Sequence, residues 1–375
     1  MKKITILLSA MMGLLPLTSI SAHAAYGTPF EGWGFVKDDW QVVCDNTLTC
    51  RAAGYAEEDQ LDTSASILLT VLPKVFLPSA TVQFLPEVPK QNNTEAELWL
   101  NGKNYGEIQA DADGYAYDLS PHQTKYLINQ ARLNTRIEIR VGSDRWTISD
   151  KGMSAVLLKL DEVQGRVGTP LALVSKNNPN RQTPKAAKAK PVIKKAYAYA
   201  DNKQLDSSKL AYFQANINKW IDIDAKELIG SEDDMGDCEL VNPKTEAYQR
   251  MQEYGVDRLD WTFTPVDATH TLASHLCWQG AYNESSGYWL INHDKPSKPK
   301  LITTAGNDYS DGEIWAVHKD RGIGDCWNHA IWVWNGQTFA KSEDSSTGMC
   351  RGFAGGAWDL PTYVSEVVKN DSKAQ

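Results

Sequence analysis

The sequence lacks the short motifs that mark most enzyme classes. Its 375 residues contain no H-E-x-x-H zinc motif, no G-x-S-x-G nucleophile turn and no Gly-rich phosphate loop. Zinc peptidases, serine hydrolases of that type and nucleotide-binding enzymes are therefore not indicated. A hydrolase that uses two carboxylates leaves no local signature, so that enzyme class stays open.

Positive charge is also scarce. The chain has 38 basic and 47 acidic residues, which gives a formal net charge of −9. Nucleic-acid binding depends on clustered cations that neutralise phosphates. We therefore predict that nucleic acid is not a partner.

Long apolar runs are missing after the first residues of the chain. Lys2 and Lys3 precede the apolar run Ile4–Leu17, which is too short to cross a bilayer comfortably. Ala22-His23-Ala24 then fits the small-residue pattern of a cleavage site. We predict a signal peptide over residues 1–24 and a mature chain without a transmembrane segment. The predicted localisation is the bacterial periplasm or the exterior, an oxidising space.

Cysteine occurs only six times, always beyond the predicted signal peptide. Cys44 and Cys50 bracket a turn-forming stretch, and a hairpin there would bring them within disulfide reach. The other four allow three pairings, and we predict the two that close the shorter loops. The predicted disulfides are Cys44–Cys50, Cys238–Cys277 and Cys326–Cys350.

An alternative interpretation makes one cysteine chemically active. Cys326 lies three residues before His329, and a nucleophilic thiolate needs such a base. It also needs a thiol that remains reduced. The even number of cysteines and the predicted export both favour disulfides instead.

One stretch, residues 175–200, breaks the acidic character of the chain. It contains three prolines, no acidic residue and seven cations. These cations are Lys176, Arg181, Lys185, Lys188, Lys190, Lys194 and Lys195. Such a segment has too little to bury to offset its ordering entropy. We predict an extended, partly disordered linker between two domains; the alternative is a basic arm for anionic lipid or polysaccharide.

The first of the two predicted domains, residues 25–174, has the pattern of a mostly-β sandwich with one helix. Asn101-Gly102 and Asp113-Gly114 are hairpin-turn dipeptides. Ser120 as N-cap, followed by Pro121, predicts the helix. Short, partly alternating apolar segments predict strands at Ser66–Leu72, Ala80–Phe84, Ala96–Leu100, Arg136–Val141 and Ala155–Leu160.

The second predicted domain, residues 201–375, has an α+β pattern with an antiparallel sheet. Ser207 or Ser208 is a suitable cap for a helix, and a second helix is predicted over Thr245–Tyr254, before Gly255. The segment Trp332–Phe339 predicts a hairpin with Asn335-Gly336 in its turn. The apolar stripe of the first helix consists of Leu210, Phe213, Ile217 and Trp220.

Tryptophan is plentiful in this second half, which holds nine of the 13 copies. In Trp332-Val333-Trp334 the strand alternation puts both indoles on one sheet face. A buried face would make them core residues. An exposed face would make them a platform for sugar rings or for a protein partner. The candidate binding residues are Trp278, Tyr282, Trp327, Trp332 and Trp334.

No metal site or cofactor is predicted. Carboxylates of two acidic clusters can in principle bind calcium, but solvated loops explain them more simply. The first cluster surrounds Gly312, and the second precedes Leu240. Their members are Asp308, Asp311 and Glu313, and Asp233, Asp234, Asp237 and Glu239.

Several segments together resemble a family of exported bacterial proteins. They are Asp39–Cys50, Asp161–Pro170, Cys277–Asn283, Gly322–Cys326 and Cys350-Arg351-Gly352. The chain resembles domain-of-unknown-function family 1176, whose members carry six characteristic cysteines. The N-terminal half is also similar, more distantly, to invasion-associated locus B proteins. These resemblances imply the compartment and the cysteine pattern, and they imply no catalytic residue.

The predicted function is that of a non-enzymatic periplasmic or secreted binding protein. Export, the aromatic cluster and the missing catalytic motifs favour an envelope glycan or a periplasmic protein as its partner. A hydrolase of envelope polymer is one alternative, and it requires two carboxylates or a His–acid pair in mutual reach. A structural or stress-related envelope factor is the other.

Overall fold

The computed structural model describes residues 32–59, 63–85, 95–111, 116–231, 234–256 and 258–369. Within them the protein is mostly β, and its larger sheets are antiparallel. This confirms the predicted dominance of antiparallel sheet. The predicted signal peptide and the Asp113-Gly114 turn lie outside the described residues.

The N-terminal half contains eleven described strands and two described helices. The helices are α1 (Pro121–Gln130) and α2 (Met153–Val163). The strands are β1 (Trp33–Lys37), β2 (Trp40–Cys44), β3 (Cys50–Tyr55), β4 (Ala65–Val71), β5 (Ser79–Phe84), β6 (Ala96–Leu100), β7 (Lys103–Glu107), β8 (Gln109–Ala110), β9 (Tyr117–Asp118), β10 (Ile137–Val141) and β11 (Asp144–Ile148).

These strands form two packed sheets. The larger has the order β1-β2-β3-β4-β5-β9-β8, and the smaller has the order β11-β10-β6-β7. Alternate side chains of β4, such as Ile67 and Leu69, meet Leu98 and Ile139 of the smaller sheet in one buried cluster. The predicted sandwich-like packing follows from this alternation of apolar residues.

Local signals of the sequence are realised at two places in this half. Asn101 and Gly102 both have positive φ in the two-residue turn between β6 and β7. Ser120 caps α1, and Gln123 completes a capping box with it. Both predictions are confirmed.

The predicted strand Ala155–Leu160 is wrong, because this segment lies inside α2. Val156, Leu157 and Leu160 are fully buried, and their spacing is helical rather than alternating. A short apolar run does not by itself distinguish a buried helix from a strand. The N-terminal half therefore has two described helices where one was predicted.

Three buried polar side chains hold the chain that follows α2. Asp161 accepts hydrogen bonds from the amides of residues 173–175 at 2.9–3.3 Å. Arg166 lies 3.6 Å from Asp161 and donates to the carbonyl of Leu171. Gln164 donates to the carbonyls of Leu48 and Val71. Burial raises the pKa of the Asp161 carboxyl, while these amides and Arg166 act in the opposite direction.

The C-terminal half contains three described α-helices, which precede most of its strands. Its helices are α3 (Ser207–Trp220), α4 (Lys226–Ile229) and α5 (Glu246–Glu253). Its strands are β12 (Val192–Lys195), β13 (Gly230–Ser231), β14 (Asp234–Met235), β15 (Thr262–Pro265), β16 (His270–Gln279), β17 (Glu284–Asn292), β18 (Lys300–Gly306), β19 (Asp308–Ser310), β20 (Glu313–Lys319), β21 (Trp327–Trp334), β22 (Phe339–Ser346), β23 (Leu360–Val364) and β24 (Glu366–Lys369).

Three layers make up this half. We give the names sheet E and sheet F to its two larger sheets. Sheet E has the order β15-β16-β17-β18, and sheet F has the order β19-β20-β21-β22-β23. One face of sheet E packs on α3 through Phe213, Ile217 and Trp289. The other face packs on sheet F, where Leu290 meets Ile314 and the neighbouring core residues. Sheet E is therefore buried on both sides.

The predicted helices and hairpin of this half are present. Asp206, not Ser207 or Ser208, caps α3, because its carboxylate accepts from two amides of the first turn. Thr245 caps α5, in agreement with the predicted start of that helix. The hairpin of β21 and β22 turns through residues 335–338, as predicted.

All six cysteines are paired. The disulfides are Cys44–Cys50, Cys238–Cys277 and Cys326–Cys350, the pairs that loop length favoured. The first joins neighbouring strands β2 and β3. The second joins the buried side of β16 to the 3-10 turn Glu239–Val241. Chain entropy gives each about 2–4 kcal/mol of stabilisation, more for the longer loops.

Residues 175–200, for which an extended, partly disordered linker was predicted, are called the basic strap from here on. The basic strap is extended, but it bonds to both halves. Its amides at Gln182, Lys185 and Lys188 donate to carbonyls of the N-terminal half. Farther along, β12 pairs in parallel with β24. The entropy lost when the basic strap is ordered is offset by these hydrogen bonds, which are spaced along the segment. Amino-acid composition alone does not reveal such bonds.

The end of the chain returns to the N-terminal half. Trp358 donates to the hydroxyl of Ser66 at 2.7 Å, and Asn46 exchanges two hydrogen bonds with the backbone of Val364. Tyr55 and Leu360 are fully buried in one cluster that both halves share. The two halves are therefore joined by packing as well as by the basic strap.

Candidate aromatic binding cleft

The five candidate residues lie in different environments. Trp334 is fully buried between sheets E and F, against Phe339 and His270. It is a core residue, and its candidacy as a contact residue is wrong. Trp278 and Tyr282 are 37% and 49% exposed, and Trp327 and Trp332 are half-buried. The interpretation as core residues therefore holds for Trp334, and the interpretation as an accessible aromatic surface holds for the more exposed candidates.

Trp332 lies on the wall of an open cleft. As predicted, it shares a face of β21 with Trp334, and the cross-strand partners of that face on β20 are Ile314, Ala316 and His318. At the Trp334 end this face is covered by sheet E. Toward Asn328 it opens into a cleft of about 280 Å³.

Four strands contribute to the cleft. Sheet F provides most of its floor, and β18 of sheet E provides one wall. Its polar lining includes one amide, one ammonium group, one carboxylate and the imidazoles of His318 and His329. The lining residues used below are Thr303, His318, Asn328, Trp332, Lys341 and Asp344.

A cation and an anion sit beside Trp332. The ammonium group of Lys341 lies 5.9 Å from the indole centre, within the range of a cation–π contact. The same group donates to Asp344 at 2.8 Å. Since both residues lie on β22, the strand holds an acceptor and donors next to one aromatic face. Hydroxyl groups of a ligand would find both kinds of partner there.

His318 extends the aromatic surface outward. Trp278 of sheet E stacks on its ring with 5.7 Å between the centres and 29° between the planes. The Nε2 atom lies 3.2 Å from the carbonyl oxygen of Glu284 and 3.3 Å from the side-chain amide nitrogen of Asn307, so it has both an acceptor and a donor as neighbours. Trp278, His318 and Trp332 thus connect the cleft to an exposed aromatic edge, and we call this set the aromatic cleft.

Asn328 lies at the open rim and donates to the carboxylate of Asp320. Burial raises the pKa of that carboxyl, and the bond from Asn328 opposes the rise. The next residues are braced as well, because Arg321 pairs with Asp325 through two contacts. The Cys326–Cys350 disulfide follows directly. The rim is therefore a stiff loop.

Trp327 and Tyr282 do not line the cleft. Trp327 belongs to the opposite face of β21, where it donates to the carbonyl of Gly324 at 2.8 Å and receives Lys319 over its ring. Tyr282 rests near Gly322, outside the cleft. Of the five predicted residues, only Trp332 and Trp278 belong to the aromatic cleft. Sequence reasoning missed Lys341 and Asp344. On β22 they are the cross-strand partners of Trp332 and Ala330, respectively.

The motifs that carry the resemblance are placed where the fold needs them. Asp161 and Arg166 hold the chain after α2, Cys277 is buried in β16, and Asp325 with Cys326 supports the rim of the cleft. The chain belongs to the DUF1176 family. The model of this family, proteins of unknown function, matches residues 35–365. No curated protein and no solved structure matches the chain.

The thiol chemistry considered for this DUF1176 protein is absent. Cys326 is buried and bonded to Cys350. His329, which also borders the cleft, instead hydrogen-bonds Glu343 at 2.9 Å. That bond raises the pKa of His329 and lowers the pKa of Glu343. His329 and Glu343 form an ion pair when His329 is protonated, and the alternative of a nucleophilic Cys326 is wrong.

Among the described residues, one side-chain set without cysteine has the spacing for a metal. The ligand atoms of His329, Glu343 and Asp359 lie within 4.8 Å of one another. Asp359, however, already accepts from Ser345, and Lys190 contributes positive potential at Glu343. In the cluster around Gly312, Lys195 bonds both Asp311 and Glu313 at 2.9 Å. The cluster around Gly312 is therefore already paired with a protein cation.

A second cleft of the DUF1176 protein lies between α3 and sheet E. It measures about 380 Å³, and Trp261 forms part of its wall. Trp261 donates to Asn218 at 2.7 Å and packs on the buried ring of His275. Burial lowers the pKa of His275, although both ring nitrogens face backbone carbonyls. No sequence signal pointed to this cleft.

In the described part of the chain, no helix has the length and the apolar character needed to cross a bilayer.

Proposed function

We propose that this DUF1176 protein is an exported, non-enzymatic protein that binds an envelope glycan in the aromatic cleft. The carrying observation is the position of Trp332, which lies in an open cleft while Trp334, two residues later, is core. The π face of an indole is electron-rich, and the C–H groups of a sugar ring are attracted to such a face.

The polar groups around Trp332 support a sugar as the ligand. Lys341 and Asn328 offer donors, and Asp344 offers an acceptor. A sugar ring presents hydroxyl groups that act as both. The volume of the cleft is at the small end of ligand pockets, so it fits one unit of a longer chain that passes along the exposed edge at Trp278.

Binding is favoured over hydrolysis by the charges of the cleft. Among its described lining residues, Asp344 is the one carboxylate, and Lys341 is bonded to it. A glycoside hydrolase needs two carboxyl groups on opposite sides of the scissile bond. The hydrolase remains an alternative, because His329 borders the cleft and forms a His–acid pair with Glu343. The structural envelope factor remains an alternative as well.

The decisive experiment compares three proteins by calorimetry against soluble peptidoglycan fragments and neutral envelope oligosaccharides. Trp332→Ala is expected to weaken binding at least about tenfold, because it removes the aromatic face and its apolar contact. Trp315→Ala is the matched control, since Trp315 is 38% exposed on the same sheet but outside the cleft.

Equal affinity of the two variants, or no binding by the natural protein, would contradict the proposal. Product formation without any loss in Trp332→Ala would favour the hydrolase instead. A single stoichiometric protein captured from periplasm, without glycan binding, would favour the structural factor or a protein partner.

The finer predictions about compartment, domains and relatives also stay proposals. Three disulfides support export to an oxidising space. The division into residues 25–174 and 201–375 can be tested by limited proteolysis within the basic strap. The similarity of the N-terminal half to invasion-associated locus B proteins rests on the spacing of Trp40 and Cys44, and an experimental structure of a member of that group would test it.

A further inference from the structure

Most cations of the basic strap form no ion pair within the described residues. Lys195 is the exception, because Asp311 and Glu313 bind it. The other six cations are exposed, and within the described residues none of them makes an ion pair. These six are Lys176, Arg181, Lys185, Lys188, Lys190 and Lys194.

The backbone holds the basic strap in place and leaves these side chains to solvent. Its amides at Gln182 and Lys185 donate at 2.9 Å, and the amide of Lys188 donates at 3.1 Å. The parallel pairing of β12 with β24 fixes its end. An ordered row of cations loses less entropy on binding than a free basic arm would.

The positive charge of the basic strap contrasts with the negative charge of the chain as a whole. The chain as a whole has a net charge of −9, which would repel an anionic surface. At physiological salt, however, charges separated by more than about 8 Å are largely screened, so the nearest cations dominate. The described acidic residues next to the strap include Asp311 and Glu313, which bind Lys195. Glu366 is the register partner of Val192, and Lys190 contributes positive potential at Glu343.

Two apolar side chains near the end of the basic strap distinguish among anionic partners. Val192 is 58% exposed, and Tyr197 is 59% exposed. A hydrated polyanion gains little from them. A bilayer accepts both, because tyrosine favours the membrane interface and apolar side chains enter the acyl boundary.

We propose that the basic strap docks this protein on the surface of an anionic phospholipid bilayer. Each cation near such a surface increases partitioning about fivefold. The contact is peripheral. This inference does not depend on the proposed glycan binding.

The test measures co-sedimentation of the whole protein with two kinds of vesicle. One kind is phosphatidylcholine, and the other is phosphatidylcholine mixed with phosphatidylglycerol. The variant changes Lys176, Lys185, Lys188 and Lys194 to Gln, and it spares Lys190, which acts on Glu343. Its expected effect is a loss of at least about tenfold in partitioning to the anionic vesicles.

The matched control removes the same charge elsewhere. Lys219, Lys226, Lys295 and Lys298 are also exposed, and their change to Gln is expected to alter partitioning less than about twofold, because these positions lie outside the strap. Circular dichroism checks that both variants are folded. Raising the salt concentration should release the natural protein from the vesicles.

Three results would overturn the proposal. The first is equal binding of the natural protein to both kinds of vesicle, and the second is an equal loss in the strap variant and the control. The third is binding to soluble dextran sulfate without binding to anionic vesicles, which would identify a soluble polyanion as the partner. Tyr197→Ser sharpens the result, since it should weaken vesicle binding and leave dextran sulfate binding unchanged.

Discussion

Both halves of the protein pack one sheet on another, but only the N-terminal packing is closed. There, residues of both sheets and of α2 form one continuous buried cluster. In the C-terminal half, sheets E and F enclose Trp334 and Phe339 at one end and separate at the other, where Trp332 lines a cleft. The comparison shows that the same architecture encloses a continuous core in one half and opens between its two sheets in the other.

Charged groups follow the same division. In the N-terminal half, Asp161 and Arg166 are fully buried and bonded to the backbone around them. In the C-terminal half, Lys341 and Asp344 remain partly exposed at the cleft. Buried ions that are completely paired define structure, whereas partly exposed ions remain able to exchange partners.

The largest expected effect comes from breaking the closed half. Asp161→Ala leaves the buried guanidinium of Arg166 without its anion and leaves the amides of residues 173–175 without an acceptor. We expect a loss of about 5 kcal/mol or more in the free energy of unfolding. Urea denaturation followed by fluorescence measures it. Lys159→Ala in the same helix is the control, because its partner Glu162 is exposed; similar losses in both variants would contradict the interpretation.

The second prediction compares the two ends of the C-terminal packing. Trp334→Ala should cost about 3–5 kcal/mol, because it opens a cavity in a core that cannot collapse around it. Trp332→Ala should cost only about 1–2 kcal/mol, because the indole is half-buried. Chemical denaturation of both variants measures the difference. Equal costs would mean that the cleft end is as closed as the core end.

The smallest effect concerns the pair of His329 and Glu343 on sheet F. The bond with Glu343 raises the pKa of His329 above its ordinary 6.5, and the same bond lowers that of Glu343 below 4.5. The stabilisation is therefore complete between pH 4.5 and 6.5. It is lost as pH rises through the raised pKa of His329, and also as pH falls through the lowered pKa of Glu343.

His329→Gln measures this contribution. The difference in unfolding free energy from the natural protein should be greatest in that pH window, and it should stay below about 1 kcal/mol since both groups are partly exposed. Glu343→Gln should produce the same profile. A difference that does not change between pH 4 and pH 9 would show that the pair is not ionised.

Much of the local structure could be predicted because it depends on neighbouring residues. The turn at Asn101-Gly102 needs positive φ, which both residues adopt readily, and Ser120 with Gln123 caps α1 by contacts three residues apart. The segment Ala155–Leu160 was not predictable in this way. Its apolar residues suit a buried strand or a buried helix, and only packing against the sheets decides between them.

The sequence by itself determined the antiparallel strands, the cysteines available for pairing, and the shared face of Trp332 and Trp334, since these follow from chain periodicity and from covalent chemistry. Only the tertiary structure decided which indole is core and which lines the cleft. It also decided that residues 175–200 bond to both halves. Periodicity specifies the side of a strand on which a residue lies, but the distance between two sheets specifies whether solvent reaches it.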